Sequence, residues 1–316
     1  MFWKPGNIGD TAKQSSQTTV NQKGRFSNIR ALLFGIQNGK GRARDFSAEP
    51  ETGLPEALRP VTIATMNQKG GCGKTTTVVN LSAALAEQGY RVLVVDMDPQ
   101  AHASLGLGVA LEHFRRSVRD LLLDRNVTFG DVMRSTAVAN LDVLPSSIDL
   151  APAQMDLANL SRGEMALRRG LAQVEKNYDF IFIDCPPTLN LLTLNALCYA
   201  KKVLVPVQTH YYALEGMKEL FKTIETVRAR FNAELEVLGI LATLFDQRVA
   251  IAEEMLQELR NYFSAQMFET VIHTNVKLIE APMVQQPITV YAPQSKAARD
   301  FVGLAEEVVR LVTKQD

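Results

Sequence analysis

The residues from Asn67 to Thr77 combine glycines, lysines and threonines in an order that suits the binding of phosphate groups. A β-branched run precedes them at 61–65, and a helical pattern follows at 77–86. Glycines allow successive backbone N–H groups to turn towards one anion, and the positive end of the helix dipole adds to the attraction. In such a loop Lys74 would reach the β- and γ-phosphates, and the Thr75 hydroxyl would hold Mg²⁺. The stretch therefore predicts a site for a nucleotide and magnesium.

Two apolar runs that resemble buried strands, 91–96 and 179–184, end in carboxylates. The first run leads into Asp96 and Asp98, and the second ends at Asp184. Ligands of a parallel sheet bind at the carboxyl ends of its strands, and Mg²⁺ prefers oxygen ligands such as carboxylates. We therefore expect these acids beside the glycine loop, although an acid after a strand can also simply cap a turn.

Strand-like and helix-like segments alternate from residue 61 onwards. The strand segments are nearly continuous runs of Val, Ile and Leu, which is typical of a parallel sheet buried on both faces. The sequence therefore predicts an α/β fold, with a doubly wound, mostly parallel sheet flanked by helices. The predicted strands are 61–65, 91–96, 141–145, 179–184, 202–207 and 235–242, and the predicted helices are 77–86, 117–123, 129–135, 156–174, 191–200, 212–231, 250–262 and 300–314.

Residues 1–60 differ in composition from the rest of the 316-residue chain. They hold nine Lys/Arg and five Asp/Glu, whereas the remaining residues hold 25 and 29. They are polar and lack periodicity, which predicts a disordered basic extension. The folded body at 61–316 is long enough for one large α/β domain or two small ones. Within the extension, 26–36 could form a short basic amphipathic helix for a membrane surface or a partner, or could be disordered like its surroundings.

Composition excludes some classes of protein. The formal net charge is zero, so any contact with nucleic acid must come from a local patch. Three cysteines are too few for a disulfide framework and favour a reducing, cytoplasmic setting. No apolar run approaches the length of a membrane span, and the first residues lack the pattern of a secretory signal.

The loop departs from the general phosphate-loop pattern, because Gln68 stands where the first glycine would fall and a second lysine, Lys69, follows it. It resembles the deviant Walker A loop, K-G-G-x-G-K-[ST], of the ParA/MinD family of ATPases. The resemblance implies a P-loop NTPase that binds ATP and Mg²⁺, in which the early lysine crosses a dimer interface to the partner's nucleotide. The nucleotide-binding residues that it implies in this loop are Lys69, Gly70, Gly71, Cys72, Gly73, Lys74, Thr75 and Thr76.

Two further motifs of that family match at the strand ends. The segment from Asp96 to Gln100 resembles the Walker A′ motif D-x-D-P-Q, and Asp184 resembles the Walker B aspartate. The resemblance implies that Asp98 positions or deprotonates the attacking water and that Asp96 lies at the metal and the loop lysine. It implies that Asp184 holds Mg²⁺ through bound water. The implied catalytic residues are thus Lys69, Lys74 and Asp98, and the implied metal site is Thr75, Asp96 and Asp184.

Two later segments are similar to family motifs, each with one departure. The segment from His210 to Gly216 is similar to E-Y-[FY]-A-L-E-G, with His210 in place of the acid. The segment 275–282 is similar to R-N-x-x-x-x-E-A-P, with Thr274 in place of the arginine. In relatives the second loop approaches the adenine, which implies nucleotide contacts for Asn275 and Pro282. What His210 and Cys72 change is left open.

The whole pattern, over roughly residues 61–312, resembles a ParA/Soj-type ATPase. The resemblance implies a homodimer in the ATP state that binds DNA without sequence preference and hydrolyses ATP with a ParB-like or cargo-adaptor activator. Such a protein segregates or positions a chromosome, plasmid or protein cargo, and is cytoplasmic and nucleoid-associated. The candidate DNA-binding residues are Lys218, Lys222, Arg228, Arg230 and Arg248, which could instead form an ordinary solvated surface.

Three other functions stay open from the sequence. A MinD-like membrane-surface ATPase would need an amphipathic membrane helix, but the segment 304–312 is acidic and suits packing on the body, which leaves only 26–36. An iron–sulfur reductase would need cysteines that meet at the dimer axis, and Cys72, Cys185 and Cys198 do not suit that placement. A plasmid-type autorepressor would need an N-terminal helix-turn-helix domain, for which residues 1–60 are short and polar.

Overall fold

A computed structural model describes residues 53–109, 115–209 and 213–314. The predicted segment 26–36 and His210 lie outside these residues. The strands are β1 Val61–Thr65, β2 Val92–Asp96, β3 Arg134–Ser135, β4 Leu141–Leu144, β5 Phe180–Asp184, β6 Lys202–Gln208, β7 Glu236–Phe245 and β8 Met267–His273. The α-helices are α1 Lys74–Glu87, α2 His102–Gly106, α3 Val118–Leu123, α4 Phe129–Val132, α5 Ala153–Asn159, α6 Ala166–Leu171, α7 Leu191–Tyr199, α8 Ala213–Arg230, α9 Ala250–Phe263, α10 Val276–Glu280, α11 Ile288–Tyr291 and α12 Lys296–Thr313.

The strands form one sheet in the order β3-β4-β2-β5-β1-β6-β7-β8. All neighbouring pairs are parallel except β3 with β4 at one edge. The predicted doubly wound, mostly parallel α/β fold is therefore confirmed. In the centre of the sheet, β5 pairs with both β1 and β2, so that Thr65 and Asp96 each lie opposite Asp184. This register aligns the carboxyl ends of β1, β2 and β5 at one edge of the sheet.

The central strands are buried because helices cover both faces of the sheet. In β2, Leu93 and Val95 pack into the apolar cluster on one face, whereas Val92 and Val94 pack into the cluster on the other. Alternation along a strand sends successive side chains to opposite faces. A strand that is buried on both faces consequently needs an unbroken apolar run, which is the pattern that the sequence shows.

The last helix, α12, packs against β8 and α1. It buries Phe301, Leu304 and Val308, and the Ser295 side chain caps its first turn by accepting a hydrogen bond from the Ala298 N–H. The helix begins at Lys296, four residues before the predicted start, because the cap precedes the apolar pattern. The body covers the apolar face of α12. This agrees with the expectation that the acidic segment 304–312 packs on the body.

Two predicted helices are wrong in extent. The helix expected over 156–174 is interrupted, since Leu160 is extended and Arg162 is left-handed with φ 56°. A side chain at Gly163 would place its Cβ only 1.9 Å from the Leu157 carbonyl oxygen, so the chain makes a close turn there that a continuous helix does not allow. The helix expected over 129–135 ends at Val132, and the residues after it form the edge strand β3.

Strand β8 and the short helices α2, α10 and α11 lack a predicted counterpart. Strand β8 lies at the edge of the sheet, and five of its seven residues are at least partly exposed, so it lacks the apolar run of a central strand. Its backbone is held from outside the sheet, because the Glu307 carboxylate accepts hydrogen bonds from the N–H groups of Glu269 and Thr270. The three short helices are four or five residues long, below the length at which helical periodicity becomes visible.

Residues just before β1 contact the body, although their composition predicted that they belong to the extension. The Leu54 side chain is buried, and its N–H donates to Asp179 Oδ1 at 3.2 Å. Arg59 forms a 2.8 Å ion pair with the same carboxylate, which is fully buried at the start of β5. None of the helices in the described residues is long and apolar enough to cross a membrane.

Candidate nucleotide site

The glycine loop connects β1 to α1 and is built by two left-handed glycines. Gly71 has φ 72° and Gly73 has φ 88°, a region that side chains with a Cβ rarely adopt. Gly73 is also the residue before the first turn of α1, whose N–H groups have no partner within the helix. A Cβ added at Gly70 or Gly71 would meet nothing within 4 Å, so the space beside the loop is open. This geometry suits an anion at the start of the helix.

The two lysines of the loop lie in different environments. Lys74 is only 7% exposed, and its Nζ donates to the Lys69 carbonyl oxygen at 3.1 Å. Lys69 is exposed on the outer turn of the loop. A buried ammonium held against the loop can interact with a phosphate in the same loop, whereas an exposed lysine can reach outwards.

The end of β5 meets the start of α1 through one short hydrogen bond. The Thr75 hydroxyl donates to Asp184 Oδ2 at 2.7 Å. Asp184 is fully buried, and its other oxygen, Oδ1, is also buried and has no hydrogen-bond partner. We call this unpaired atom the open oxygen of Asp184. Burial, and after it the nearby charge of Asp96, holds the pKa of Asp184 well above its usual range. A buried carboxylate with an open oxygen beside a hydroxyl is an arrangement that fits a divalent cation, which would offset the cost of the charge.

Asp96 is held differently, although it ends the neighbouring strand. The Ser104 N–H and hydroxyl donate to Asp96 Oδ2 at 2.8 and 2.7 Å, and the Asp98 N–H donates to Oδ1 at 3.1 Å. Burial raises the pKa of Asp96 to about 6, and these hydrogen bonds oppose the rise. Oδ1 of Asp96 is therefore engaged by the turn that carries Asp98, and Oδ2 is engaged by Ser104 of α2. The family resemblance implied that Asp96 lies at the metal, but the carboxylate oxygen without a hydrogen-bond partner belongs to Asp184.

Two side-chain hydrogen bonds join the loop to the other half of the sheet. Asn67 donates to the Pro206 carbonyl in β6 at 2.8 Å and accepts from the Lys69 N–H at 3.0 Å. The Thr243 hydroxyl in β7 donates to the Cys72 carbonyl at 2.8 Å. The roles of Asn67, Thr243 and Ser104 were not predicted from the sequence. Ser104 lies eight residues after Asp96 and could have been suspected, but nothing local marks Thr243.

A cavity of about 130 Å³ adjoins the loop and the start of α1. Thr76, Thr243 and Phe301 are among its lining residues, together with Thr274 and Asn275. The Asn275 side chain caps α10 by accepting from the Lys277 N–H, so its position is set by that helix. Pro282, for which the family resemblance also implied a nucleotide contact, is exposed and does not line this cavity.

The candidate DNA-binding residues are exposed and come from two segments, α8 and the loop before α9. Lys218 and Lys222 are one turn apart and share a face of α8. Arg228 and Arg230 are exposed in its last turn, and their spacing of two residues sends them to different sides. Arg248 is 81% exposed and lies in the loop before α9, where it forms a two-point ion pair with Asp246. All three cysteines are buried.

A glycine loop after β1, a buried loop lysine and a threonine bonded to a strand-end carboxylate define a P-loop nucleotide hydrolase. A family model described as an AAA domain matches residues 61–237. The sporulation initiation inhibitor protein Soj of Bacillus subtilis is 45% identical over 246 residues, which cover 78% of this chain and 97% of Soj. The chromosome partitioning protein ParA of Myxococcus xanthus is 43% identical over 78% of this chain and 87% of its own length. The chain belongs to the ParA/Soj family of ATPases.

Solved structures of similar proteins agree with the fold and the cofactors. Cobyrinic acid a,c-diamide synthase of Mycobacterium smegmatis, with a bound ATP analogue and magnesium, has a TM-score of 0.72 and 33% identity over 81% of this chain and 97% of its own. The septum site-determining protein MinD of Pyrococcus horikoshii, complexed with Mg-ADP, has a TM-score of 0.66 and 28% identity over 79% and 96%. The chain is an ATP hydrolase whose cofactors are ATP and Mg²⁺.

Proposed function

We propose that this protein is a nucleotide-switched partitioning ATPase, which binds DNA as an ATP-bound homodimer and releases it after hydrolysis. The observation that carries the proposal is the contact between Thr75 and Asp184 at the loop, with Asp98 on the neighbouring strand end. The similarity to Soj and ParA along 78% of the chain supports the cellular role, which is to segregate or position a chromosome, plasmid or protein cargo. The proposed location is the cytoplasm, on the nucleoid.

Each residue of the site has a proposed role in hydrolysis. Lys74 and the backbone N–H groups of the loop bind the phosphates, while Thr75 and Asp184 hold Mg²⁺. Bound magnesium would neutralise charge on the phosphate oxygens. Asp98 orients the attacking water and accepts its proton, and it is positioned by its N–H bond to Asp96. Asp96 thus acts on the water through Asp98.

Lys69 is proposed to complete the site of a second copy. Its exposed position on the outer turn of the loop supports a reach across an interface. In this arrangement hydrolysis requires two subunits, and a ParB-like or cargo-adaptor protein stimulates it. A Lys69→Ala variant is expected to bind ATP yet lose ATP-dependent dimerisation, measured by light scattering. Dimerisation and hydrolysis at parental levels would contradict the crossing role.

Binding of DNA is proposed to come from Lys218 and Lys222 on α8, with Arg228, Arg230 and Arg248 in supporting positions. Phosphate contacts need only positive charge, so a loose arrangement suffices for DNA binding without sequence preference. Each lost phosphate contact is expected to lower the slope of log affinity against log salt by about 0.9.

The test is retention on DNA of an Asp98→Ala protein, which should hold ATP without hydrolysing it. We expect retention with ATP and little with ADP, and a loss of retention when Lys218→Ala and Lys222→Ala are added. Lys176→Ala serves as the matched control, because Lys176 is exposed on a short helical turn before β5. Equal retention in ATP and ADP would overturn the switch.

A membrane-surface role like that of MinD is the second candidate, since the structure of MinD resembles this fold. The packed apolar face of α12 counts against a membrane helix at that end of the described chain. Co-sedimentation with anionic vesicles in ATP, with and without residues 1–52, separates the two functions. Vesicle binding that depends on residues 1–52, without DNA retention, would favour the membrane role.

A further inference from the structure

We infer that Thr243 is a positioning residue for the phosphate loop, because its hydroxyl fixes the orientation of the peptide between Cys72 and Gly73. The inference rests on nucleotide binding at this loop. Thr243 lies near the end of β7, far from the loop in sequence, and is 2% exposed. Its Oγ1 donates to the Cys72 carbonyl oxygen at 2.8 Å, within the ordinary range for a hydroxyl donor.

The peptide needs such a restraint because of the residues around it. A rotation of the Cys72–Gly73 peptide changes φ of Gly73, which is positive here, and glycine adopts either sign of φ at little cost. A rotation of the Cys72–Gly73 peptide is therefore sterically permitted. Because a trans peptide holds its C=O and N–H in opposite directions, one orientation offers the Gly73 N–H to the loop interior and the other offers the Cys72 carbonyl.

The two orientations differ in what a phosphate would meet. An N–H group that points inwards attracts an anion, whereas a carbonyl that points inwards repels it. The bond to Thr243 draws the Cys72 carbonyl towards β7, which leaves the Gly73 N–H pointing the other way. The orientation with the carbonyl towards β7 is thus selected before a nucleotide arrives, so binding need not reorganise the loop.

Thr243 is rigidly placed for this task. It is paired in the parallel register with Gln208 of β6, so the strand holds its backbone. A Cβ at Gly73 would lie 3.6 Å from both Cβ and Cγ2 of Thr243, which shows how closely the side chain covers the glycine. The threonine methyl therefore fills the space behind the loop, and the hydroxyl supplies the hydrogen bond.

The experiment compares Thr243→Val, which keeps the shape and removes the hydroxyl, with Thr243→Ser, which keeps the hydroxyl. The dissociation constant of Mg·ADP is measured by calorimetry, and the melting temperature without nucleotide reports on folding. We expect Thr243→Val to raise the dissociation constant about tenfold. The reason is that the hydrogen bond from the Gly73 N–H to the charged phosphate is weakened when the peptide is no longer held. Thr243→Ser is expected to stay within about twofold of the parent.

A matched control is Thr270→Val, since Thr270 is half-buried in β8 and outside the loop. It should leave the dissociation constant unchanged. Parental affinity in Thr243→Val overturns the inference, as does a Thr243→Ser variant that binds as weakly as Thr243→Val. If Thr243→Val does not fold, Thr243→Cys replaces it, and parental affinity there overturns the inference too. A parent that fails to bind Mg·ADP would instead contradict the proposed function.

Discussion

The phosphate loop lies between two halves of the sheet that serve it in different ways. On the carboxylate side, β2 and β5 end in Asp96 and Asp184, together with Asp98 just beyond. On the holding side, the Pro206 carbonyl of β6 accepts a hydrogen bond from the loop residue Asn67, and Thr243 of β7 donates one to the Cys72 carbonyl. The first side supplies charge for the reaction, and the second side supplies shape for the loop. Substitutions on the carboxylate side should mainly reduce turnover, whereas those on the holding side should mainly weaken nucleotide binding.

The largest effect is expected at Lys74, which belongs to the loop itself. Lys74→Ala should lower ATP hydrolysis by about 1,000-fold or more, because it removes a buried positive charge from the phosphates. Steady-state phosphate release measures the change. Lys176→Ala, which removes an exposed lysine, should retain parental activity, and a loss at Lys74 smaller than about tenfold would contradict the role.

The carboxylate side is tested next by Asp98→Ala. Turnover should fall by about 100- to 1,000-fold while the Michaelis constant changes little, because a water-orienting base acts on the transition state rather than on nucleotide binding. Initial rates over a range of ATP concentrations give both values. The control is Asp156→Ala, at an exposed position of α5. A raised Michaelis constant with unchanged turnover would move Asp98 to a binding role.

The open oxygen of Asp184 is the basis of the third prediction. Asp184→Asn should raise the magnesium concentration for half-maximal activity by about 10- to 100-fold, since an amide is a weaker ligand than a carboxylate. A magnesium titration of the hydrolysis rate measures the shift. Asp149→Asn, at an exposed position, should show no shift. If Asp96→Asn shifted the titration and Asp184→Asn did not, the assignment of the open oxygen would be reversed.

Ser104 provides a smaller effect on the same side. Ser104→Ala removes the hydroxyl bond to Asp96, and turnover should fall about tenfold because the turn carrying Asp98 loses support. Ser104→Thr keeps the hydroxyl and should recover most of the turnover. The Michaelis constant for ATP distinguishes this from damage to the nucleotide site, since it should stay close to the parental value.

The smallest effect is expected on the holding side, at Asn67. Asn67→Ala breaks its bonds to Pro206 and Lys69, and the dissociation constant of Mg·ADP should rise about fivefold with turnover at saturation nearly unchanged. Calorimetry and saturating initial rates test the two parts. A fall in turnover as large as that of Ser104→Ala, at unchanged affinity, would erase the distinction between the two sides.

The sequence predicted most of the carboxylate side. Asp98 and Asp184 follow apolar strands, and strand ends of a parallel sheet converge whatever the details of packing. The central strands were predicted for the same reason, since burial on both faces demands an apolar run. Edge strand β8 and the interruption at Gly163 were not predicted, because one is only partly buried and the other depends on a close approach to Leu157.

The sequence by itself determined the sheet type, the phosphate loop and the set of carboxylates, since each is written in consecutive residues. Only the tertiary structure decided that Asp96 is engaged by Ser104, that Asp184 keeps an open oxygen, and that Thr243 holds the Cys72 carbonyl. The physical reason is strand register: Thr75 and Asp184 are 109 residues apart, and Thr243 and Cys72 are 171 apart. A shift of one residue in β5 or β7 would turn the side chain of Asp184 or Thr243 to the other face of the sheet. No local sequence pattern records that choice.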